Sequence, residues 1–265
     1  MSAQAHPRMG SVRLTTIAIG AFIGLPIAAT LVSATTANFA QGPWGGGFTV
    51  MWLQQGAAQI GPMLGRSLVV ALLVIAADLV IGGGLAYWIA RRDSLAGRLV
   101  RRLMDLPLAV PGIALSIGLI TLYPALRPSG TLLVLGHILF TLPFALATLI
   151  PTLRDPDLID QEQVATTLGA SRLRILRSLT APTALVSSIQ VMMMVFAISF
   201  GEFNISFFIN PPATSMAPFG LFDAYSTQRI EIGSAETVIF LAVLVPVLCG
   251  FLVLRRVLSP RKERH

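Results

Sequence analysis

Long apolar runs, each near the length of a bilayer-crossing helix, alternate along this chain with short segments that hold most of its charge. A helix needs about 20 apolar residues to cross roughly 30 Å of hydrocarbon. Runs of that kind lie at 14–36, 64–90, 104–124, 131–151, 183–208 and 235–254, and hydropathy predicts a membrane helix over each. Pro26, Pro107, Pro111, Pro143 and Pro246 fall inside these runs. In a membrane bundle neighbouring helices re-satisfy the backbone groups that proline frees, so the prolines do not argue against spans. The first run exceeds the apolar core of a cleaved signal, about 7–15 residues, and is read as an uncleaved span.

Composition supports the membrane reading. Of 265 residues, 54% are hydrophobic and 12% charged, with mean hydropathy +0.77; a soluble domain carries about 25% charged residues. The net charge of +7 would suit a nucleic-acid partner, but the cations sit between the apolar runs. Arginines cluster at 8–13, 91–102, 154–177 and 255–264, while Arg66, Arg127 and Arg229 fall in the alternate segments. Lysine and arginine bias in short loops sets orientation, so both termini are expected in the cytoplasm. The predicted fold class is therefore an all-α integral membrane protein, a bundle of six transmembrane helices. Residues 1–13 form a cytoplasmic N-terminal segment, 14–254 the membrane domain, and 255–265 a basic cytoplasmic tail. The outer segment 37–62 is rich in turn residues at Pro43-Trp44-Gly45-Gly46-Gly47, and Trp44 and Trp52 suit an interfacial belt. Cys249 is the single cysteine, which excludes an internal disulfide or a cysteine metal site.

The cytoplasmic segment 152–182 is longer than the others and patterned. Asp155-Pro156 reads as an N-cap with proline at the first helical position, followed by Asp157, Asp160 and Glu162 where the helix dipole favours acids. Leu158, Ile159, Val164, Ala165 and Leu168 interleave, and Gly169 suits a left-handed helix end. Ser171 is placed to cap a second short helix, with Leu173, Ile175, Leu176 and Leu179 on one side and Arg172, Arg174 and Arg177 on the other. Pro182 stands at or just before the next span. A helix, glycine bend and helix of this kind either lies at the lipid headgroups or docks into another protein.

Residues 163–182 read QVATTLGASRLRILRSLTAP. This spacing resembles the cytoplasmic loop of bacterial ABC importer permeases, type I and binding-protein-dependent: E-A-A, three residues, G, nine residues, I-x-L-P. Gln163-Val164-Ala165 stands at the E-A-A place, Gly169 at the glycine, and Pro182 at the end. Leu106-Pro107 through Pro111-Gly112, Leu85-Ala86-Tyr87 through Arg91, and Gly201-Glu202-Phe203 also look like that family's spans. The resemblance implies that the loop is a coupling element seated in a cleft of an ATPase subunit. Gln163, Val164, Ala165, Leu168, Gly169, Ala170, Ser171 and Pro182 would form that contact. Gln163 lacks the charge of the family glutamate, and adjacent Glu162 points about 100° away on a helix.

The chain has no G-x-x-x-x-G-K-[ST] phosphate loop, so ATP and magnesium are expected on the partner ATPase and no cofactor on this chain. The resemblance further implies a second permease subunit, an extracytoplasmic solute-binding protein and a bacterial inner-membrane location, with no nucleic acid and no enzymatic chemistry here. Asp78, near the middle of the second span, lines the solute path or is held by an interhelical hydrogen bond beside Gly82, Gly83 and Gly84. By the resemblance Glu202 and Asn204, near the outer end of the fifth span, lie near the gate of the pathway; the alternative for Glu202 is an interfacial carboxylate that reaches water. His137 is expected to make a structural hydrogen bond, and Asp105 to pair with the nearby arginines. The T-L-G-A-S pattern and the 206–218 stretch look most like permeases for polyamine, iron, thiamine and aminophosphonate, with polyamine the first expectation. The alternative is an ion-coupled secondary transporter that uses Asp78.

Overall fold

The computed structural model describes residues 9–92 and 94–259. Arg8, Arg261, Lys262 and Arg264, which enter the charge count, lie outside the described residues. Helices dominate: α1 Met9–Ala34, α2 Met51–Arg91, α3 Leu95–Ala109, α4 Gly112–Leu122, α5 Thr131–Leu153, α6 Pro156–Thr167, α7 Arg172–Phe200, α8 Asn204–Ile209, α9 Ala217–Thr227 and α10 Ile230–Leu258. Among the described residues, five are long and apolar enough to cross a membrane, and a sixth span appears if the bent pair α3–α4 is counted as one.

That pair corrects the expectation of a third span over 104–124. α3 and α4 meet at 107°. Pro111 has no N–H to continue a helix and disfavours helical backbone at the residue before it, and Val110 is extended, at φ −100° and ψ 129°. The second span also begins earlier than expected, at Met51, so residues 51–62 are helical. The fifth span differs at both ends. The expected separate helix after Ser171 is the first part of α7, which runs on through Pro182. A π-helical stretch, Leu176–Thr180, directly precedes Pro182; such widened turns absorb a break in the hydrogen-bond ladder. At its other end the helix breaks at Gly201, before Asn210-Pro211-Pro212.

Two compact units divide the chain: Met1–Gly61 with Leu221–Leu241, and Pro62–Gly220 with Ala242–His265. In the first, Ala34, Trp52, Ala224, Ile232 and Ala235 form a buried cluster. Trp52 is therefore a core residue and not an exposed belt residue. Its indole Nε1–H donates to the Thr36 carbonyl at 2.9 Å, which satisfies the one polar group it buries. In the second unit, α5 and α7 pack along each other. Leu146, Leu149, Val191, Val195 and Phe196 are buried there, and Phe196 stacks on Phe200 at 5.1 Å.

Candidate coupling elbow and polar sites

Segment 155–175 forms an elbow whose turns follow from its caps. The Asp155 carboxylate accepts the Asp157 N–H at 3.0 Å, and Pro156 opens α6. At the other end Gly169 has φ +80°. The Gly169 N–H donates to the Thr166 carbonyl and the Ala170 N–H to the Ala165 carbonyl, both at 3.0 Å. This is a Schellman closure, which places its glycine in the left-handed region. The Ser171 hydroxyl then accepts the Arg174 N–H at 3.3 Å and starts α7.

The two neighbours Glu162 and Gln163 differ in burial, the first buried and the second exposed. Leu158 and Glu162, four residues apart, turn inward and are buried. The Arg91 fork grips Glu162 twice, Nη2 to Oε1 at 2.7 Å and Nε to Oε2 at 2.8 Å. The Thr180 hydroxyl donates to Oε1 at 2.5 Å. Arg91 Nη1 also donates to the Leu153 carbonyl at the end of α5, and its guanidinium lies 5.2 Å from the Tyr87 ring centroid. Burial alone would raise the Glu162 carboxyl, but the Arg91 and Thr180 hydrogen bonds and the arginine charge outweigh it and hold the group below its ordinary value.

Gln163 is exposed, as are Val164 (58%) and Leu168 (82%). Across the bend Leu173 is 54% exposed, beside the exposed Arg172, Arg174 and Arg177. Ala165 and Ala170 are half-buried, while Gly169, Ser171 and Pro182 are exposed. All but Pro182 of the residues singled out for coupling thus lie within one short elbow; Pro182 stands further along α7. Sequence reasoning missed Glu162, Arg91 and Thr180 as a group. The available signal was Leu158 and Glu162 on one helix face; nothing in the sequence marked their partners 71 and 18 residues away.

The residues singled out for the pathway fall on two elements: Asp78 within α2, and Glu202 with Asn204 at the break between α7 and α8. Asp78 is fully enclosed, in a π-helical stretch, Asp78–Gly82, that packs on α5 and α7. Neither carboxylate oxygen has a hydrogen-bond partner among the described residues. The Thr141 hydroxyl on α5 faces it but is committed to the His137 carbonyl at 2.8 Å. Of the three neighbouring glycines, Gly82 makes a close approach: a Cβ there would stand 3.1 Å from Leu142.

Glu202 is buried at the break between α7 and α8, where its carboxylate accepts the Ile205 N–H at 2.9 Å and the Ser206 N–H at 2.9 Å. His137 lies beside it on α5, bonded to the Ser199 hydroxyl at 2.8 Å and the Ser206 hydroxyl at 2.9 Å. A Cβ at Gly136 would stand 2.8 Å from Ile209 Cδ1, so glycine lets α8 lie this close to α5. Asn204 is exposed and adjoins Gly112 at the start of α4. Asp105 pairs with Arg101 at 3.2 Å. Near the loop that follows α8, a cavity of about 600 Å³ is lined by Arg66, Leu73, Thr131, Val134, Asn210 and Met216.

Comparison with known proteins gives this geometry a context. The family described as "Binding-protein-dependent transport system inner membrane component" matches residues 79–264, more than two thirds of the chain. The spermidine/putrescine transport system permease protein PotC of Escherichia coli K12 is 25% identical over 246 residues, covering 90% of this chain and 91% of that protein. A putative ABC transporter permease protein, ORF1, of Streptomyces antibioticus is 30% identical over 197 residues, 73% of this chain and 86% of that one. The putative 2-aminoethylphosphonate transport system permease protein PhnV of Salmonella typhimurium is 26% identical over 142 residues, 52% of this chain and 53% of that one.

Proposed function

The chain belongs to the family of binding-protein-dependent transport system inner membrane components and is a membrane-spanning permease subunit of an ABC importer, and we propose that a separate ATPase drives it by docking on the elbow around Gly169. The observation that carries this reading is the bare apolar set Val164, Leu168 and Leu173, ringed by Arg172, Arg174 and Arg177. Apolar side chains at these exposures gain from being covered by a partner surface. Gln163 adds a hydrogen-bonding group where the resembling loops carry a glutamate.

In this reading both termini and the elbow face the cytoplasm, and ATP and magnesium bind the partner. A second permease subunit completes the solute path, and an extracytoplasmic binding protein delivers the solute. Closure of the ATPase pair moves the seated elbows, and rigid helices carry that movement to the outer break, where Asn204 is exposed. The solute is a small amine-bearing ion, with polyamine first. Both named relatives with a stated solute support an amine: spermidine/putrescine for one, 2-aminoethylphosphonate for the other. Two acids whose charge suits a cation are already engaged, Glu202 by backbone N–H groups and Glu231 by Arg229 at 3.0 Å. That supports leaving selection to the binding protein. The family match leaves the ion-coupled alternative without support.

The test is uptake of labelled spermidine, putrescine and 2-aminoethylphosphonate by vesicles that contain the assembled transporter. Uptake that requires ATP, survives a protonophore and is lost in Leu168→Asp is the expected result. Uptake that continues without ATP and collapses with the membrane gradient contradicts the reading.

A further inference from the structure

The inner end of the bundle contains one side-chain hub that ties four separate elements together. Glu162 belongs to α6, Arg91 ends α2, Leu153 ends α5, and Thr180 lies in the π-helical stretch of α7. Both Glu162 oxygens are engaged, Oε1 by Arg91 Nη2 at 2.7 Å and Thr180 Oγ1 at 2.5 Å, and Oε2 by Arg91 Nε at 2.8 Å. Arg91 uses its third nitrogen on the Leu153 carbonyl. A second tie runs beside it, from Arg154 Nη2 to the Ile89 carbonyl at 3.3 Å. The pair is largely sheltered, with 18% and 11% of the two side chains exposed.

A short helix held by its caps alone can swing on its connecting turns. α6 has 12 residues between the Asp155 cap and the Gly169 bend, and it packs on the start of α7. The hub links it to α2. A bidentate arginine–carboxylate pair fixes orientation as well as distance, which a single hydrogen bond or a lysine does not. With the hub in place, a shift of α6 is also a shift of the inner ends of α2, α5 and α7. Without it, α6 can move while α2 stays.

We propose that Glu162 and Arg91 act as a rivet between the docked elbow and the spans, and so set how much ATP is hydrolysed for each solute imported. Glu162 is a positioning residue here: it turns away from the docking face and touches neither ATP nor solute. The inference rests on the ATPase-coupling reading above.

The experiment uses the complete transporter in proteoliposomes, with ATP hydrolysis and solute uptake read from the same preparation. The variants are Glu162→Gln, which keeps shape and the Thr180 bond, and Arg91→Lys, which keeps charge and loses the fork. In both, the ATPase is expected to stay bound and the ATP hydrolysed per solute to rise about 2- to 30-fold, the range over which coupling residues act. Poor folding would lower both rates together and leave that ratio unchanged, so the ratio reports coupling and not yield. A wild-type ratio in both variants overturns the proposal. So does loss of the ATPase from Glu162→Gln, which would make Glu162 a docking contact. Absence of ATP-driven uptake in the wild-type transporter overturns the underlying function instead.

Discussion

Where α7 begins, Glu162 meets the fork of Arg91 and the hydroxyl of Thr180, partners 71 and 18 residues away. Where α7 ends, Glu202 meets no arginine among the described residues and takes the N–H groups of Ile205 and Ser206, three and four residues on. The first carboxylate joins elements that are remote in sequence and stands back to back with a bare surface at Val164 and Leu168. The second closes a local break and is buried with His137, Ser199 and Ser206. One end is built to pass on a movement and the other to hold a shape.

Six substitutions at five positions test that contrast. Glu202→Leu removes the acceptor from two buried N–H groups. At about 1–3 kcal/mol for each unsatisfied group, the purified protein should lose about 2–6 kcal/mol, read as a large fall in melting temperature. An unchanged melting temperature would mean that the break after α7 needs no cap. Glu162→Ala should cost less, about 1–3 kcal/mol, because the pair keeps some solvent and the full penalty of breaking a buried pair is about 3–5 kcal/mol. Adding Arg91→Ala should restore part of that loss in a double-mutant cycle, since the uncompensated charge is then gone. Additive losses would show that the two residues do not act as a pair.

Gly169→Ala should cost roughly 1–2 kcal/mol, because its φ of +80° disfavours a side chain. No heavy atom lies within 4 Å of a Cβ there, so Gly169→Asn, which tolerates the left-handed region, should cost less than Gly169→Ala. The reverse order, measured by chemical denaturation, would point to a steric cause. Leu168→Asp should change stability least, within about 0.5 kcal/mol, because the side chain is 82% exposed. Its predicted effect lies in assembly: the variant should remain folded and lose its ATPase. A folded variant that keeps the ATPase would remove Leu168 from the docking surface.

The lengths and spacing of the apolar runs showed the spans, because crossing a bilayer imposes a length that composition reveals. The caps at Asp155 and Ser171 and the left-handed Gly169 were equally legible, since each is a local backbone requirement with a preferred residue type. Non-local pairings were not. Trp52 looks like an interfacial aromatic until the Thr36 carbonyl is seen to take its indole N–H. Pro111 looks like one more tolerated membrane proline, yet extended backbone at Val110 breaks the third run there. For Asp78 the sequence left a place on the solute path and an interhelical hydrogen bond both open; what it did not show is that the packing of its π-helical stretch against α5 and α7 encloses it. Gln163 drew attention by its place in a pattern, whereas the residue tied into the bundle is its neighbour Glu162, and only the folded chain brings Arg91 to it.

The most direct test of the central claim is affinity purification of the tagged chain from gently solubilised native membranes, with wild type and Leu168→Asp side by side. An ATPase subunit is expected to accompany the wild type and to be absent from the equally folded variant. A stable wild-type preparation that carries no ATPase would contradict it.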